Sequence, residues 1–461
     1  MALLPPQTPA APTAPARKLW HAGTLTYTTG GLVALFCWLL WGDFAWSMKE
    51  RSIFPVVQLL LRQFEASDLL AGLLLGAVPQ AMALLIGPII SYRSDRHRGR
   101  WGRRIPFLLI PTPIAVVSMV GLAFSPALGH SLHHALGGHS PGANHITLLF
   151  FGTFWVLFEF ATITANAILY ALINDVVPHA VIGRFYGLFR ALSLIAGMVF
   201  NYWLFGKAET HFVAIFIGIA LLYGFGFTAM CLKVKEGSYP PPPLPGPEER
   251  HGFFVATKTY FQECFSRPYY LWFFVSQALT WMAMTGVNLF NVYFAKSLGM
   301  SMDTFGKCLA LTYLISLGLS YFLGAVADRF HPLRVGLMVL GVCAVGLLWG
   351  GLFATTPARF AIALVGFGVL SGTWMTITAS LPQRLLPTAR FAQFNSALGI
   401  LVSLGTMVTG PVLGAFLDRT GHDYRHTYFA GFGLLVLALL AGLIVYRKFK
   451  LLGGPQNYVA P

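Results

Sequence analysis

An all-α membrane protein of twelve transmembrane helices, arranged as two pseudo-symmetric six-helix bundles, is the fold class this sequence predicts, and three observations carry it. Apolar runs of about 20 residues, enough to cross about 30 Å of hydrocarbon, recur along the whole chain. One long polar break divides them six and six. Short loop motifs repeat at matching places in the two sets, which implies two related halves about an axis along the membrane normal.

Composition agrees. Hydrophobic residues make up 56% of the 461 residues and charged residues 10%, outside the range of soluble domains. The formal net charge of +15 would suit nucleic acid if it covered one face. The basic residues instead cluster between apolar runs, which is the positive-inside pattern, so the expected partner is a lipid bilayer and not a nucleic acid. Cys37, Cys231, Cys264, Cys308 and Cys343 lie far apart, with neither metal nor disulfide spacing. Without a nucleophile elbow, phosphate loop or zincin motif, no enzyme activity, cofactor or metal is expected.

Taken in order, residues 1–27 are expected to be a disordered cytoplasmic tail. The first 18 are rich in Pro and Ala, lack the apolar core of a signal peptide and end in Arg17 and Lys18. An N-terminal bundle over 28–233 holds spans at 28–60, 68–92, 105–125, 147–173, 185–206 and 212–233. Residues 234–267 form a cytoplasmic linker whose Pro run is a stiff extended spacer. A C-terminal bundle over 268–447 holds spans at 268–295, 303–327, 333–353, 358–380, 392–417 and 427–447, and 448–461 is a second cytoplasmic tail. Segment 93–104 carries six Arg in twelve residues while 126–146 carries no Lys or Arg. That places the former in the cytoplasm and both termini inside, for a multi-pass protein of the cell (inner) membrane. The stretch 130–145, with His130, His133, His134, His139 and His145, lacks Cys or acidic partners and reads as a solvated Gly-rich loop.

Charges inside the spans are more telling, since an Asp or Arg at a helix centre costs about 2.5–3.5 kcal/mol on insertion scales and normally pairs or lines a cavity. In span one, Asp43, Ser47, Glu50 and Phe54 share a face at 100° per residue, flanked by Trp46, Arg51 and Gln58, with Lys49 pointing away. Span four aligns Trp155, Glu159, Thr162, Asn166 and Tyr170. Span five aligns Tyr186, Arg190, Ser193, Gly197 and Asn201. These stripes predict one polar pocket, with Glu159 facing Arg190. Span seven aligns Gln277, Trp281, Met284, Asn288 and Asn291. Amides bond hydroxyl groups and Trp stacks on a pyranose, so Gln277, Trp281, Asn288 and Asn291 join Trp46, Arg51, Asn166 and Arg190 as candidate substrate contacts; Tyr313, Thr373, Trp374 and Thr376 could extend the lining. Glu159 is the first candidate for proton coupling, with Asp43 and Glu50 as alternates, and no carboxylate cluster forms a Na⁺ cage.

The loop motifs carry a resemblance. Ser94-Asp95-Arg96 after span two is matched by Ala327-Asp328-Arg329 after span eight. Val177-Pro178 with Gly183-Arg184-Phe185 is matched by Leu386-Pro387 with Ala389-Arg390-Phe391. Here the chain resembles the major facilitator superfamily over essentially its whole length, with Ser91 where Gly is usual. The extended form, residues 94–107, is similar to the glycoside–pentoside–hexuronide:cation symporters and the plant sucrose transporters. Residues 52–60 and 154–176 also look like the sucrose transporters, and Glu159 falls where those carry a carboxylate. The resemblance implies alternating access about a midplane site. It also implies a cytoplasmic gate in which Asp95 and Asp328, with Arg96, Arg103, Arg104 and Arg329, meet the ends of spans eleven and five. The expected activity is H⁺-coupled symport of a sugar or glycoside by a monomer. Uptake of a uronate or other organic anion is the alternative, with Arg51 and Arg190 clamping a carboxylate. Drug export fits less well, and a solute receptor without transport least.

Overall fold

The computed structural model describes residues 19–239 and 260–461, except the side chains of residues 321, 327, 328 and 389. The twelve long helices are α1 (Thr29–Gln63), α2 (Asp68–Arg96), α3 (Pro111–Leu136), α4 (Ala143–Val176), α5 (Ile182–Trp203), α6 (Ala208–Lys233), α7 (Pro268–Ser297), α8 (Met302–Phe330), α9 (Pro332–Phe353), α10 (Pro357–Thr378), α11 (Phe391–Arg419) and α12 (Arg425–Leu451). Among the described residues, ten are long and apolar enough to cross a membrane. Helices α7 and α8, of 30 and 29 residues, complete the set. Each helix satisfies its backbone within itself, which is what hydrocarbon demands. Helix starts carry local signals: Pro in the first turn of α7, α9 and α10, and Thr28, Ser301 and Thr356 accepting the N–H of Gly31, Thr304 and Arg359.

Helices α1–α6 pack as one bundle and α7–α12 as the other, and the bundles meet along α2 with α11 and along α5 with α8. Exchanging the halves turns one pair into the other, so the interface follows the pseudo-two-fold. The chain alternates between two ends of the molecule: the basic end, with the loop after α2, and the far end, with the loops after α1 and α11. At the far end α2 and α11 touch through glycines. A Cβ at Gly72 would run into the Gly410 carbonyl, and one at Gly414 into the Asp68 carbonyl. Gly72 and Gly76, like Gly410 and Gly414, are four apart, the small-residue spacing that lets membrane helices approach closely. At this contact α2 is broken by a π turn over Leu73–Ala77, whose Gly76 also faces Gly410. The Trp155 indole donates to the Leu74 carbonyl there (2.7 Å).

Four sequence expectations need correction. Residues 19–28 are not disordered: Leu19–Ala22 and Leu25–Thr28 form an antiparallel hairpin turning at Gly23 (φ 57°), a left-handed position that suits glycine. The linker is not a free spacer throughout, because Thr24 of the hairpin accepts from the Ser238 N–H (2.9 Å). Glu236 also accepts three N–H groups, from Arg103, Arg104 and Ile105 (2.7–3.0 Å). The Pro run lies outside the described residues. The His-rich stretch is not a loop until Leu136, since its Ala, Leu and His residues continue α3. The C-terminal residues dock rather than trail, with the Tyr270 and Tyr458 hydroxyls donating to the Pro461 and Leu385 carbonyls (2.6 and 2.7 Å).

Hydrogen bonds to a charged group contribute about 1.5–3 kcal/mol each. Glu236→Ala removes the acceptor of three, and an expected fall in thermal stability of several degrees in detergent, read by differential scanning fluorimetry, checks this. An unchanged midpoint would mean that water replaces the carboxylate without loss.

Candidate substrate cavity between the halves

Between the bundles lies a cavity of about 830 Å³, within the size range of small-molecule sites. The polar stripe of α1 reaches it through Trp46, Ser47, Glu50, Arg51, Phe54 and Gln58. Helix α4 contributes Trp155, Glu159, Thr162 and Tyr170, and α5 contributes Tyr186, Arg190 and Ser193. The second bundle presents Asn288 and Asn291 from α7, with Phe305, Leu309 and Tyr313 from α8. One wall is therefore charged and the other is amide and aromatic.

The charges are held without mutual ion pairs. Arg51 donates to Ser193 (3.3 Å) and lies over the Tyr313 ring (5.2 Å to the centroid), touching both bundles. Glu50 accepts from the Trp46 indole (3.0 Å). Lys49, fully buried, donates to Thr162 (3.1 Å) and sits 3.6 Å from the Trp46 ring centroid. Among the described residues, no nitrogen–oxygen contact within 4.0 Å joins Lys49, Arg51 or Arg190 to Glu50 or Glu159. The expected Glu159–Arg190 pair is thus not formed, although both line the cavity. Lys49 points away from the cavity stripe, as helix geometry suggested, and is covered there by Thr162 of α4 and Tyr223 of α6. Asp43 is buried off the cavity; one carboxylate oxygen accepts from Ser47 (3.1 Å) and the other has no partner among the described residues.

On the second wall Asn291 bridges Asn288 (3.5 Å) and the Tyr428 hydroxyl (3.3 Å). Gln58 of α1 reaches across to the Asn288 and Leu289 carbonyls (2.9 Å each), closing the cavity above. Several expected contacts lie elsewhere. Gln277 faces a small gap inside the second bundle, walled by Phe273, Leu337 and Trp374. Trp281 packs edge-on to Trp374 (6.1 Å), and Asn166 is exposed outside the lining. Thr373 and Thr376 do not line it. The stripe on α7 continues past the cavity into helix packing, so only its upper part faces the cavity. Sequence reasoning missed Leu75, Pro79 and Gln80 of α2, which line the cavity beside the π turn; Gln80 in an otherwise apolar span was the available signal.

Of the residues expected at a cytoplasmic gate, Asp95, Arg103 and Arg104 form a hub with Asp175 at the basic end, within the first bundle. Arg104 binds Asp95 (2.5 Å) and Asp175 (3.2 Å), and Arg103 binds Asp175 (2.8 Å). Burial works against the Arg103 charge, yet Asp175, with Tyr239 and Asp95, outweighs it and raises the guanidinium above its ordinary value. Asp175 was not among the expected residues. Arg96 lies over the Tyr92 ring (4.1 Å) and Arg329 over Phe330 (5.4 Å); the Asp328 side chain lies outside the described residues. Among the described residues, the cross-half hydrogen bonds gather at mid-depth and at the far end, where Lys296 of α7 pairs with Glu209 of α6. Among the described residues, the side chains close enough to share a metal ion are Asp68, Asp418 and His422, and their carboxylate oxygens are taken up by hydrogen bonds.

Comparison with known proteins agrees with this architecture. Residues 39–410 match the family model described as Major Facilitator Superfamily. A curated relative from Aspergillus flavus, described as "MFS transporter asaE", is 26% identical over 124 residues, which is 27% of this chain and 28% of that protein. Among solved structures, the inward-open xylose transporter XylE of E. coli superposes with a TM-score of 0.65 at 12% identity, covering 90% of this chain and 96% of that one. An inward-facing, unoccupied bacterial homologue of the human lysosomal transporter Spinster gives 0.64 at 15% identity, covering 93% and 98%. The nucleoside transporter NupG gives 0.63 at 12%, covering 90% and 99%. Identities this low speak for the fold alone.

Proposed function

We propose, from the premise that this chain belongs to the Major Facilitator Superfamily, that it is a proton-coupled symporter of a sugar or glycoside working by alternating access. The observation that carries this reading is the two-faced cavity. Its charged wall offers a carboxylate, Glu159, together with Arg51 and Arg190, and its other wall offers the amides of Asn288 and Asn291 together with the Tyr313 ring. Amides and hydroxyls exchange hydrogen bonds with a polyol, an aromatic plane covers its apolar face, and 830 Å³ accommodates a mono- or disaccharide. A carboxylate without an ion-pair partner can take up and release a proton as solute rearranges the cations around it. In this reading the basic end is cytoplasmic and the conformation described is open to that side.

A second reading, uptake of a uronate or other organic anion, is favoured by Arg51 and Arg190 standing without carboxylate partners in the lining. A thermal-shift screen of the purified protein against neutral sugars, glycosides and uronates separates the two. For a neutral sugar, Asn288→Ala is expected to weaken binding about tenfold, as loss of a hydrogen bond in a desolvated site costs about 1–2 kcal/mol, and Arg51→Gln to weaken it less. For an anion the order reverses. No stabilisation by any of these solutes would remove the sugar reading.

A further inference from the structure

At the far end the two bundles are joined by a compact ionisable cluster that the cavity does not use. Asp418, at the end of α11, accepts the backbone N–H groups of Asp68 and Leu69 (2.9 Å each), capping the first turn of α2 across the interface. Asp68, fully buried, accepts from the Tyr424 hydroxyl (3.0 Å) and from His422 Nδ1 (2.6 Å). His422 Nδ1 is also 3.9 Å from Asp418, and its side chain is 44% exposed. The imidazole is therefore the cluster's contact with solvent, and Asp68 is its contact with the opposite bundle. His422 holds a left-handed backbone (φ 61°) directly after Gly421 (φ 71°), a conformation uncommon for a residue with a side chain and one that clusters in switch regions.

We propose that the Asp68–His422 pair is a proton-binding site of the far gate, separate from the carboxylates of the cavity, and that a proton there holds the far end closed. Asp418 stays beside the imidazolium in either state, but Asp68 meets it only while α2 and α11 are together, so closure and protonation favour each other. Without that proton the imidazole keeps one hydrogen bond to the Asp68 carboxylate but loses the ion pair, and the far end opens more readily. The charged neighbours are engaged elsewhere. Arg62 of α1 lies over the rings of Tyr293 (α7) and Tyr424, 5.9 Å from each. Arg425 is engaged by Asp423 (2.7 Å) and holds that carboxyl below its usual range. His426 Nδ1 contacts the Asp423 carbonyl (2.9 Å), and Glu65 is bonded by Asn144 (3.2 Å).

This inference goes beyond the transport reading and needs no solute. Its test uses the full chain in nanodiscs with spin labels on cysteines at His139 and Thr355, exposed at the far ends of the two bundles, and the native cysteines replaced. The distance distribution is recorded between pH 5.5 and 8.5. The far-open fraction is expected to rise about three- to fivefold with pH, the scale of a partly exposed ion pair. The response should be lost in His422→Asn, since Asn tolerates the left-handed backbone and keeps a hydrogen bond without titrating. Thermal unfolding of that variant checks that it is folded. Glu159→Gln, which disables the proposed cavity site, is expected to keep the pH response. A pH response surviving in His422→Asn, one abolished by Glu159→Gln, or none in the parent protein would each overturn the proposal.

Discussion

Glu159→Gln is expected to abolish accumulation driven by a pH gradient while leaving solute exchange intact. With one proton per solute, a gradient of one pH unit supplies about 1.4 kcal/mol and sustains about tenfold accumulation. The variant should fall to a ratio of about one, with counterflow of labelled solute preserved. The geometry behind this is specific. Glu159 lines the cavity on α4, one turn from Trp155, without an ion pair to Arg51, Arg190 or Lys49 among the described residues. Gln keeps the volume and the acceptor oxygen and removes only the titration. The neighbouring carboxylates are placed differently: Glu50 is held by the Trp46 indole, and Asp43 is buried outside the lining. Accumulation that persists in Glu159→Gln and disappears in Asp43→Asn or Glu50→Gln would move the proton to that residue.

Gly410→Val is expected to hold the far end open. A Cβ at Gly410 already meets the Gly72 carbonyl, and overpacking of a tight contact costs about 1–3 kcal/mol. That strain exists only while α2 and α11 are together, so the population should shift about 5- to 150-fold toward the far-open form. The readout is the alkylation rate of a cysteine placed at Asn288, in a background free of native cysteines, by an impermeant reagent supplied at the far side. An unchanged rate would mean that the glycine contact does not limit opening.

Much of this was legible in the residues, and what was not has physical causes. Run length and the six-and-six division anticipated the twelve helices, because a backbone in hydrocarbon has few alternatives to a continuous helix. The stripes on α1, α4 and α5 led to the cavity because polar side chains there cost energy unless water or a partner meets them. The stripe on α7 misled in part: Gln277 and Trp281 share a face with Asn288 and Asn291, but that face passes from the cavity into packing against α9, α10 and α12. Lys49 could not be placed from one helix, since its environment comes from Thr162 and Tyr223 of other helices. The far-end cluster was invisible for the same reason. Asp68 and His422 are 354 positions apart, and each alone resembles an ordinary loop residue. Glu236 likewise gained its role only when the linker folded back on the Arg-rich loop.

The central claim is that solute and proton share the cavity, and solute-driven proton flux tests it most directly. Purified protein is reconstituted into liposomes with an internal pH dye, without an imposed gradient, and a solute that stabilises the protein is added outside. The account predicts internal acidification that begins with solute entry, saturates with solute concentration and is absent in Glu159→Gln. Solute entry without any change in internal pH would contradict it.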